Sequence, residues 1–198
     1  RYWKPGLAKT TGEFLLIAHS GDEHTWVDTL PDKFYMDGSE ALVLGFNDPQ
    51  RESTVWLAAI SFCRGLTIEN YYQREKDILR QPLPVIVQIQ GINHYHDNNG
   101  KIAWHQEKSG SLLRSTHWER FLVDLMVDWA IQTKIPAVYL LPGQMNRYYG
   151  GHFNIHYPGR NERLLTRYDG TARHCGFKIQ PNGLWGLNTA NYAEVIKP

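Results

Sequence analysis

An amphipathic helix that leads directly into an apolar strand constrains this chain more than any other stretch of its sequence. Within residues 115–134, apolar side chains recur with the period of a helix, at Trp118, Phe121, Leu122, Leu125, Met126, Trp129 and Ala130. Ser115 or Thr116 is the natural N-cap, and Glu119 lies where a capping box needs a carboxylate. Residues 135–143, IPAVYLLPG, then predict a buried strand. A helix followed at once by such a strand indicates a parallel pairing within an α/β sheet.

A second strand is predicted before this helix. Residues 83–91, LPVIVQIQG, alternate in side-chain character and are bounded by Pro84 and Gly91. One face is predicted to be apolar and to consist of Val85, Val87 and Ile89. The opposite face begins with Ile86 and turns polar toward the carboxyl end of the strand, with Gln88 and Gln90.

A capped helix and a hairpin are predicted near the carboxyl end of the sequence. One helical stripe of apolar side chains comprises Leu164, Leu165, Tyr168, Ala172 and Cys175. Asn161 is the predicted N-cap, and Gly176 supplies the left-handed residue after the helix. Residues 177–187 then predict a β-hairpin that turns at PNG, residues 181–183.

The amino-terminal half predicts further strands and one further helix. Residues 13–20 and 40–47 predict two strands, or a strand and a short helix, and residues 53–65 predict a longer strand. Residues 66–81 have helical spacing that ends before Pro82. Residues 1–12 predict an arm or entry loop because they contain a proline and two glycines. The whole chain, residues 1–198, is predicted to form a single α/β domain.

Composition and charge exclude several classes of protein. Apolar residues make up 42% and charged residues 21% of the chain, which is typical of globular domains and disfavours disorder. No apolar run approaches the ~20 residues that span a bilayer. The formal net charge of +1 gives no general attraction to nucleic acid or to anionic lipid. Two cysteines are too few for a disulfide framework, so we expect a cytoplasmic or otherwise intracellular protein.

The order of these elements resembles the second half of the GNAT acyltransferase fold, whose members bind acyl-CoA. The resemblance covers residues 83–187 and rests on VIVQIQG, FLVDLMVDWAIQTKIPAVYLLPG and ERLLTRYDGTARHCGFKIQPNGLW. It implies a mixed, GNAT-like central sheet flanked by helices and ending in a helix and a β-hairpin. In such a sheet the strands of residues 83–91 and 135–143 lie side by side and separate at their carboxyl ends. The implied activity is transfer of an acyl group from acetyl-CoA, or another acyl-CoA, to an amine.

The same resemblance implies where the cofactor binds. The family's pyrophosphate-binding loop matches residues 106–111, QEKSGS, in which serines replace two small residues of the family pattern. A nearby arginine can contact phosphate directly, and two glutamines lie where the sheet opens to the cofactor. The residues implied to bind acyl-CoA are Gln88, Gln90, Gln106, Ser109, Gly110, Ser111 and Arg114.

The catalytic residues follow less directly from the resemblance. The family's proton donor is a tyrosine upstream of a Gly-Phe pair, and this chain has Ala172 at the matching position. Tyr168 lies one turn farther upstream, either as a packing residue or as a proton donor that takes over the missing role. Glu69, Glu75 and His94 are alternative general bases, and the sequence does not choose among them.

Three other groups of residues raise the possibility of a metal site, a hydrolytic site or a cysteine nucleophile. Their spacing favours none of these. A metal site could use side chains of two loops, namely His94, His96, His105, Glu107, His152 and His156. Spacing of this kind is more typical of exposed loop histidines, so no metal is predicted. Residues 18–24, AHSGDEH, lack the surroundings of a hydrolase nucleophile and favour a turn. Cys175 and His174 are adjacent on a helix, so their side chains point apart and form no nucleophile and base pair.

Two alternatives to an enzyme stay open. Residues 146–160, NRYYGGHFNIHYPGR, combine arginine with aromatic side chains, which is a composition that can stack single-stranded nucleic acid. Such a module is disfavoured by the near-zero net charge. A catalytically inactive GNAT-like protein that serves as a protein-interaction or assembly module is the other alternative.

Overall fold

The computed structural model describes residues 13–20, 25–27, 34–48, 53–66, 79–91, 117–146, 148–150 and 159–195. These residues form a mixed α/β structure in which helices pack against one large sheet. The predicted α/β class and mixed sheet are therefore confirmed, and the predicted arm of residues 1–12 lies outside the described residues. None of the helices in the described ranges is long and apolar enough to cross a membrane.

The strands and helices alternate in the carboxyl-terminal half of the chain. The strands are β1 (Glu13–Ser20), β2 (Thr25–Val27), β3 (Phe34–Met36), β4 (Glu40–Asp48), β5 (Ser53–Leu66), β6 (Leu79–Gly91), β7 (Ala137–Leu140), β8 (Lys178–Ile179) and β9 (Trp185–Asn188). The helices are α1 (Trp118–Gln132), α2 (Arg160–Leu165), α3 (Thr171–His174) and α4 (Thr189–Val195), with a 3₁₀ turn at Gly143–Met145. A π-helical turn, Thr166–Gly170, joins α2 to α3 through a continuously helical backbone. We call residues 160–174 together the α2–α3 helix.

The large sheet contains one parallel pairing among antiparallel ones. Its strand order is β1-β4-β5-β6-β7-β9-β8, and β2 and β3 pair separately. Neighbouring strands are antiparallel except for β6 and β7, which are parallel. Parallel neighbours need a crossover connection, and α1 lies in the connection between these two strands. The pairing predicted from the helix and the strand that follows it is therefore confirmed, as is the predicted hairpin, formed by β8 and β9.

Apolar clusters cover both faces of the sheet. The larger cluster joins one face to α1 and to the α2–α3 helix, and the side chains that α1 buries in it are Trp118, Leu122, Val123, Met126, Val127 and Ala130. The smaller cluster consists of Cys63, Val85, Val87, Leu141 and Leu184. Val85 and Ile86 belong to different clusters because successive side chains of a strand point to opposite faces. Truncating the fully buried Leu122 to alanine would cost roughly 2–5 kcal/mol, because the packed surroundings cannot refill the space.

The amino-terminal end of α1 differs from the predicted cap. His117 is the N-cap residue, with a left-handed backbone (φ 45°) and no side-chain hydrogen bond to the helix. The predicted caps, Ser115 and Thr116, lie outside the described residues. Glu119 is not part of a capping box, because its carboxylate faces the Arg167 side chain at 3.7 Å and so links α1 to the α2–α3 helix.

The carboxyl-terminal ends of α1 and α3 share one hydrogen-bonding pattern. After α3, the Gly176 N–H donates to the Arg173 carbonyl and the Phe177 N–H donates to the Ala172 carbonyl, with Gly176 at φ 81°. This is the Schellman closure, so the predicted role of Gly176 is confirmed. Lys134 takes the corresponding place after α1, at φ 59°, where a side chain strains the backbone.

The predicted N-cap of the α2–α3 helix is wrong. Gly159 is the N-cap residue, with φ 74°, and Asn161 lies inside the first turn of the helix. The side-chain oxygen of Asn161 accepts a hydrogen bond from the Gly150 N–H at 2.9 Å. Asn161 therefore fastens the preceding loop to the helix instead of closing the helix end.

Strand β6 begins earlier than predicted. Leu79, Arg80 and Gln81 belong to β6, so the helix predicted for residues 66–81 does not extend to its predicted end. Residue 66 belongs to β5, and residues 67–78 lie outside the described residues.

A β-bulge changes which side chains of β6 share a face. Ser61 pairs with Gln88 and Phe62 pairs with Ile86, so Val87 is an extra residue in β6. The bulge interrupts the alternation of the strand, and Ile89 therefore lies with Ile86 in the larger cluster. The predicted common face of Val85, Val87 and Ile89 is wrong for Ile89.

Candidate functional site

Strands β6 and β7 pair over a short distance and then separate. Their ladder joins Val85 to Tyr139 and Ile86 to Leu140, and it ends with the hydrogen bond from the Leu141 N–H to the Ile86 carbonyl. β6 continues to Gly91, whereas the chain after β7 turns away into the 3₁₀ turn. Pro142 cannot extend the ladder because it has no N–H. We call the place of separation, formed by residues 87–91 and 141–146, the fork.

Tyr168 reaches into the fork from the π-helical turn. Its hydroxyl accepts hydrogen bonds from the Ile89 N–H at 3.1 Å and from the Asn146 side-chain N–H at 2.9 Å. The side chain is buried, and it thereby connects the free edge of β6 to the segment that follows β7. A buried backbone N–H needs an acceptor, and Tyr168 supplies the one that a neighbouring strand would otherwise provide.

The phenol of Tyr168 keeps its proton over the ordinary pH range. Burial raises its pKa above the ordinary value of 10.0, and the nearby Asp37 carboxylate adds to that rise. The hydrogen bonds from Ile89 and Asn146 act in the opposite direction and do not offset the burial. In this arrangement the Tyr168 hydroxyl is a protonated acceptor of two hydrogen bonds that connect β6 to the segment after β7.

Asp169 holds the other side of the fork. One of its carboxylate oxygens, Oδ1, accepts hydrogen bonds from the Gly143 N–H at 3.2 Å and from the Trp185 indole N–H at 2.6 Å. A side chain at Gly143 would not fit, because a Cβ there would lie 2.8 Å from the Leu164 carbonyl oxygen. Tyr168 and Asp169 are adjacent in sequence and both buried, one bonded to β6 and the other to the end of β7 and to β9.

A buried polar network lies on β6 next to the bulge. The Gln88 carboxamide oxygen accepts hydrogen bonds from the Asp37 N–H at 3.3 Å and from the Ser61 hydroxyl at 2.9 Å. Since the backbone N–H of Asp37 can only donate, the orientation of the Gln88 carboxamide is fixed. Its amide nitrogen then donates to the Gln90 carboxamide oxygen at 3.2 Å. The turn after β3 therefore fixes the orientation of Gln88, whose amide in turn bonds to Gln90.

The structure brings together three of the predicted site residues. Gln88, Gln90 and Tyr168 all lie at or beside the fork. The remaining predicted residues lie outside the described part of the chain: the base candidates Glu75 and His94, and the cofactor-binding candidates Gln106, Ser109, Gly110, Ser111 and Arg114. Glu69 also lies outside it.

Sequence reasoning missed four buried polar residues at the fork, namely Asp37, Ser61, Asn146 and Asp169. Each bonds to a residue far away in the sequence, so no local spacing reveals it. The one available signal was the position of Asp169 beside Tyr168, in a segment otherwise assigned to an apolar stripe.

A second polar group lies away from the fork, between α1, α3 and α4. The Asp124 carboxylate accepts hydrogen bonds from the Tyr192 hydroxyl at 3.2 Å and from the Cys175 thiol. Burial and the negative charge of Asp124 raise the pKa of Cys175, so its thiol stays protonated. His174 bonds to the Gly170 carbonyl at 2.7 Å and is exposed, which confirms that His174 and Cys175 form no nucleophile and base pair.

The described residues bear on the other hypotheses only in part. They contain no group of three or more side chains that could hold a metal ion, and the histidines of the metal hypothesis lie outside them. In the loop rich in arginine and aromatic residues, the Arg160 guanidinium lies over the Tyr148 ring at 4.8 Å, and Tyr149 is 37% exposed. Arg147 and residues 151–158 of that loop are not among the described residues.

The comparisons with known proteins leave the geometry of the fork as the basis for any functional assignment. No known family, no curated protein and no solved structure matches this chain.

Proposed function

We propose that this protein is an acyl-CoA-dependent N-acyltransferase that transfers an acyl group to an amine. The observation that supports the proposal is the fork, at which parallel strands β6 and β7 separate after Ile86 and Leu141. The resemblance to the GNAT fold implies a separation at this place. A β-bulge at Val87 accompanies it, and bulges commonly redirect side chains next to active sites.

The fork suits a ligand that is extended and carries amide groups. Beyond Ile86 the edge of β6 runs for several residues without β7 beside it. The Ile89 N–H of this edge already donates to Tyr168, so an extended chain with amide groups would pair with the other backbone groups of the edge, as peptides do when they add to a sheet. The pantetheine arm of acyl-CoA has this chemistry, so we place its thioester end near Gln88, Gln90 and Tyr168. The pyrophosphate would bind near residues 106–111, with Arg114 as a further contact.

The proposed reaction is a direct transfer. The acceptor amine gives up a proton to a base, and its nitrogen attacks the carbonyl carbon of the thioester. The carbon–sulfur bond then breaks, and the CoA thiolate leaves after taking up a proton. Tyr168, whose phenol stays protonated, is the candidate donor of that proton, and Glu75 or His94 would be the base in the arrangement that the sequence suggests.

A thermal unfolding experiment with acetyl-CoA tests the proposal. A ligand present at 100 times its dissociation constant stabilises the fold by roughly 2.7 kcal/mol. We therefore expect a rise in Tm that saturates with acetyl-CoA and that ATP at the same concentration does not reproduce. Release of free CoA thiol in the presence of a set of primary amines would then measure the transfer. The absence of any shift with acetyl-CoA or CoA would overturn the proposal.

A module that binds single-stranded nucleic acid is the second candidate. The observation that favours it is the exposed Tyr149 ring next to the stacked pair of Arg160 and Tyr148. If this loop binds a strand by stacking, replacing Arg147 and Arg160 with alanine weakens oligonucleotide binding and flattens its salt dependence. If the loop serves an acyl acceptor instead, the double variant keeps its affinity for acetyl-CoA and the protein shows no oligonucleotide binding. A protein that binds acetyl-CoA without any transfer would be the inactive GNAT-like module.

A further inference from the structure

We propose that the carboxylate of Asp169 binds the acceptor amine as its ammonium ion and takes its proton. This inference rests on the proposed function and assigns the general base of that reaction to a residue outside the three candidates of the sequence. It follows from the hydrogen bonds of one carboxylate, from its burial and from its position beside Tyr168.

Only one of the two carboxylate oxygens of Asp169 accepts hydrogen bonds from the described residues. Within the described residues its two donors, the Gly143 N–H and the Trp185 indole N–H, both bond to Oδ1. Within the described residues, Oδ2 accepts no hydrogen bond, and no lysine, arginine or histidine lies within ion-pair distance of the carboxylate. The residue is 7% exposed, so water does not replace the missing partner freely.

Arg173, one turn along the same helix, contacts a neighbouring ring and forms no ion pair with this carboxylate. The Arg173 guanidinium lies over the Trp185 ring, 5.4 Å from its centre, while the indole N–H of that ring bonds to Asp169. The arginine is exposed and contacts the ring, whereas the carboxylate lies in the interior. A buried carboxylate that no cation of the described residues neutralises is unfavourable, so the position suits a cation that arrives with a ligand.

The fold itself needs an acceptor at this position and not a charge. Two neutral N–H groups donate to one oxygen, and the carbonyl oxygen of an asparagine could accept both. The negative charge strengthens these two hydrogen bonds, but a neutral acceptor could also make them. We therefore assign the negative charge to the binding of a ligand cation at the second carboxylate oxygen, Oδ2.

The position of Asp169 matches that use. The π-helical turn presents Tyr168 and Asp169 together, with the Tyr168 hydroxyl at the β6 side of the fork and the Asp169 carboxylate at the end of β7. π-helical turns occur often at functional sites because they place neighbouring side chains in directions that an α-helix does not allow. The phenol and the carboxylate thereby contact two residues of the same turn after β7, Asn146 and Gly143, beside the place where the thioester is proposed to lie.

The proton balance is simple. The ammonium form of the acceptor transfers one proton to Oδ2 and becomes a neutral amine. Its nitrogen forms a bond to the acyl carbon, the carbon–sulfur bond breaks, and the second nitrogen proton is lost as the thiolate becomes the CoA thiol. One proton remains on Asp169 and is released to solvent with the products.

Asp169→Asn separates this role from a structural one. The variant keeps an acceptor for the Gly143 and Trp185 donors, so we expect an unchanged Tm and an unchanged acetyl-CoA shift. Turnover with a primary alkylamine should fall about 100-fold or more, because general base catalysis typically contributes 10²–10⁴. Turnover with methoxyamine, which is already neutral at neutral pH, should fall less than about tenfold, since it needs no proton acceptor before attack. Asp128→Asn, which changes an exposed carboxylate of α1, is the matched control and should leave both rates unchanged.

A binding measurement keeps the inference testable apart from catalysis. Titration calorimetry with n-butylammonium should give saturable binding to the parent protein and binding at least about tenfold weaker to Asp169→Asn. Equal binding, or equal loss of turnover with both amines, would overturn the role of Asp169. In that case the acetyl-CoA shift and the turnover of the parent protein would still stand, so failure of this inference is distinct from failure of the proposed function.

Discussion

At the residue scale, the Tyr168 hydroxyl accepts the hydrogen bond from Ile89 that a neighbouring strand would otherwise accept. Tyr168 accepts hydrogen bonds from Ile89 on β6 and from Asn146 after β7, within a buried environment. Packing alone would have been satisfied by phenylalanine. The hydroxyl is therefore what ties the two arms of the fork to the helix.

Tyr168→Phe should lower the free energy of unfolding by roughly 1–3 kcal/mol, because Ile89 and Asn146 each lose a buried acceptor. Urea denaturation measures this, and Tyr149→Phe, at an exposed position, should change stability by less than about 0.5 kcal/mol. Acyl transfer by the folded variant should stay within about threefold of the parent if Tyr168 is a strut. A loss of about 100-fold or more in the folded variant would instead identify the hydroxyl as the proton donor to the thiolate.

The raised pKa of Asp124 predicts the direction in which the stability of the protein changes with pH. Burial raises its pKa above the ordinary value of 3.8, and hydrogen bonds from Cys175 and Tyr192 only partly oppose that rise. The folded state thus binds this proton more tightly than the unfolded state does. The stabilising effect is fully present below the unfolded pKa and is lost as pH rises through the folded pKa.

Asp124→Asn removes this titration and keeps an acceptor for the Tyr192 hydroxyl and the Cys175 thiol. Relative to the variant, the parent protein should gain stability as the pH is lowered from about 7 toward about 4. Parallel urea denaturation series over this range measure the difference. A difference that stays constant, or that changes in the opposite direction, would contradict the raised pKa.

At the element scale, two helices end in the same closure with different residues. Gly176 after α3 and Lys134 after α1 both have left-handed backbones. Glycine adopts this conformation without strain, whereas a residue with a side chain does not. The two positions therefore make a matched pair.

Lys134→Gly should raise the free energy of unfolding by up to about 1 kcal/mol, and Gly176→Ala should lower it by about 1 kcal/mol or more. Thermal or urea unfolding of the two variants checks the pair. No atom lies within 4 Å of a Cβ built at Gly176, so a loss there reports backbone strain and not a clash. We expect the free energy of unfolding to rise in Lys134→Gly and to fall in Gly176→Ala. A change in the same direction in both variants would rule out backbone strain as the cause.

The elements that the sequence predicts well are those that local patterns determine. The stripe of α1, the strand of β7 and the glycine after α3 each depend on residues close together in the chain, and all three are confirmed. The bulge at Val87 depends on how β6 pairs with β5. The sequence of one strand does not determine its register with a partner strand, so this bulge could not be predicted from β6 alone. The π-helical turn is similarly hidden, because a short widening of a helix barely changes its apolar stripe.

Polar contacts of the fork were the hardest to predict. Gln88 and Gln90 were found because they interrupt an apolar strand, which is a local signal. Asp37 and Ser61, which orient them, come from two other elements and have no pattern of their own. Sequence reasoning therefore located part of the site and missed the residues that hold it in place.

At the scale of the whole molecule, the sheet consists of two antiparallel parts held together by one parallel pairing. β1, β4, β5 and β6 form one part, and β7, β9 and β8 form the other. The pairing between the parts comprises two residue pairs, whereas β4 and β5 pair along their length. α1 packs across this boundary, with its apolar face on residues of both parts.

Native-state hydrogen exchange should reveal this division. The Leu141 amide bonds across the boundary, and the Ile89 amide bonds to Tyr168 at the fork. Both should exchange through openings of lower free energy than amides within β4 and β5. Exchange rates measured residue by residue check the order. Equal protection of all of these amides would mean that the sheet opens as one unit.

The parallel pairing also has a consequence for how the chain folds. Ile86 and Leu140, which pair between β6 and β7, are 54 positions apart in the sequence. Leu44 and Ala58, which pair in the β4–β5 hairpin, are much closer in the sequence. Closing the longer loop costs more chain entropy before any hydrogen bond compensates for it. We expect the hairpins of the amino-terminal part to form early and the fork to assemble last, so that the proposed binding site exists only once both parts of the sheet have folded.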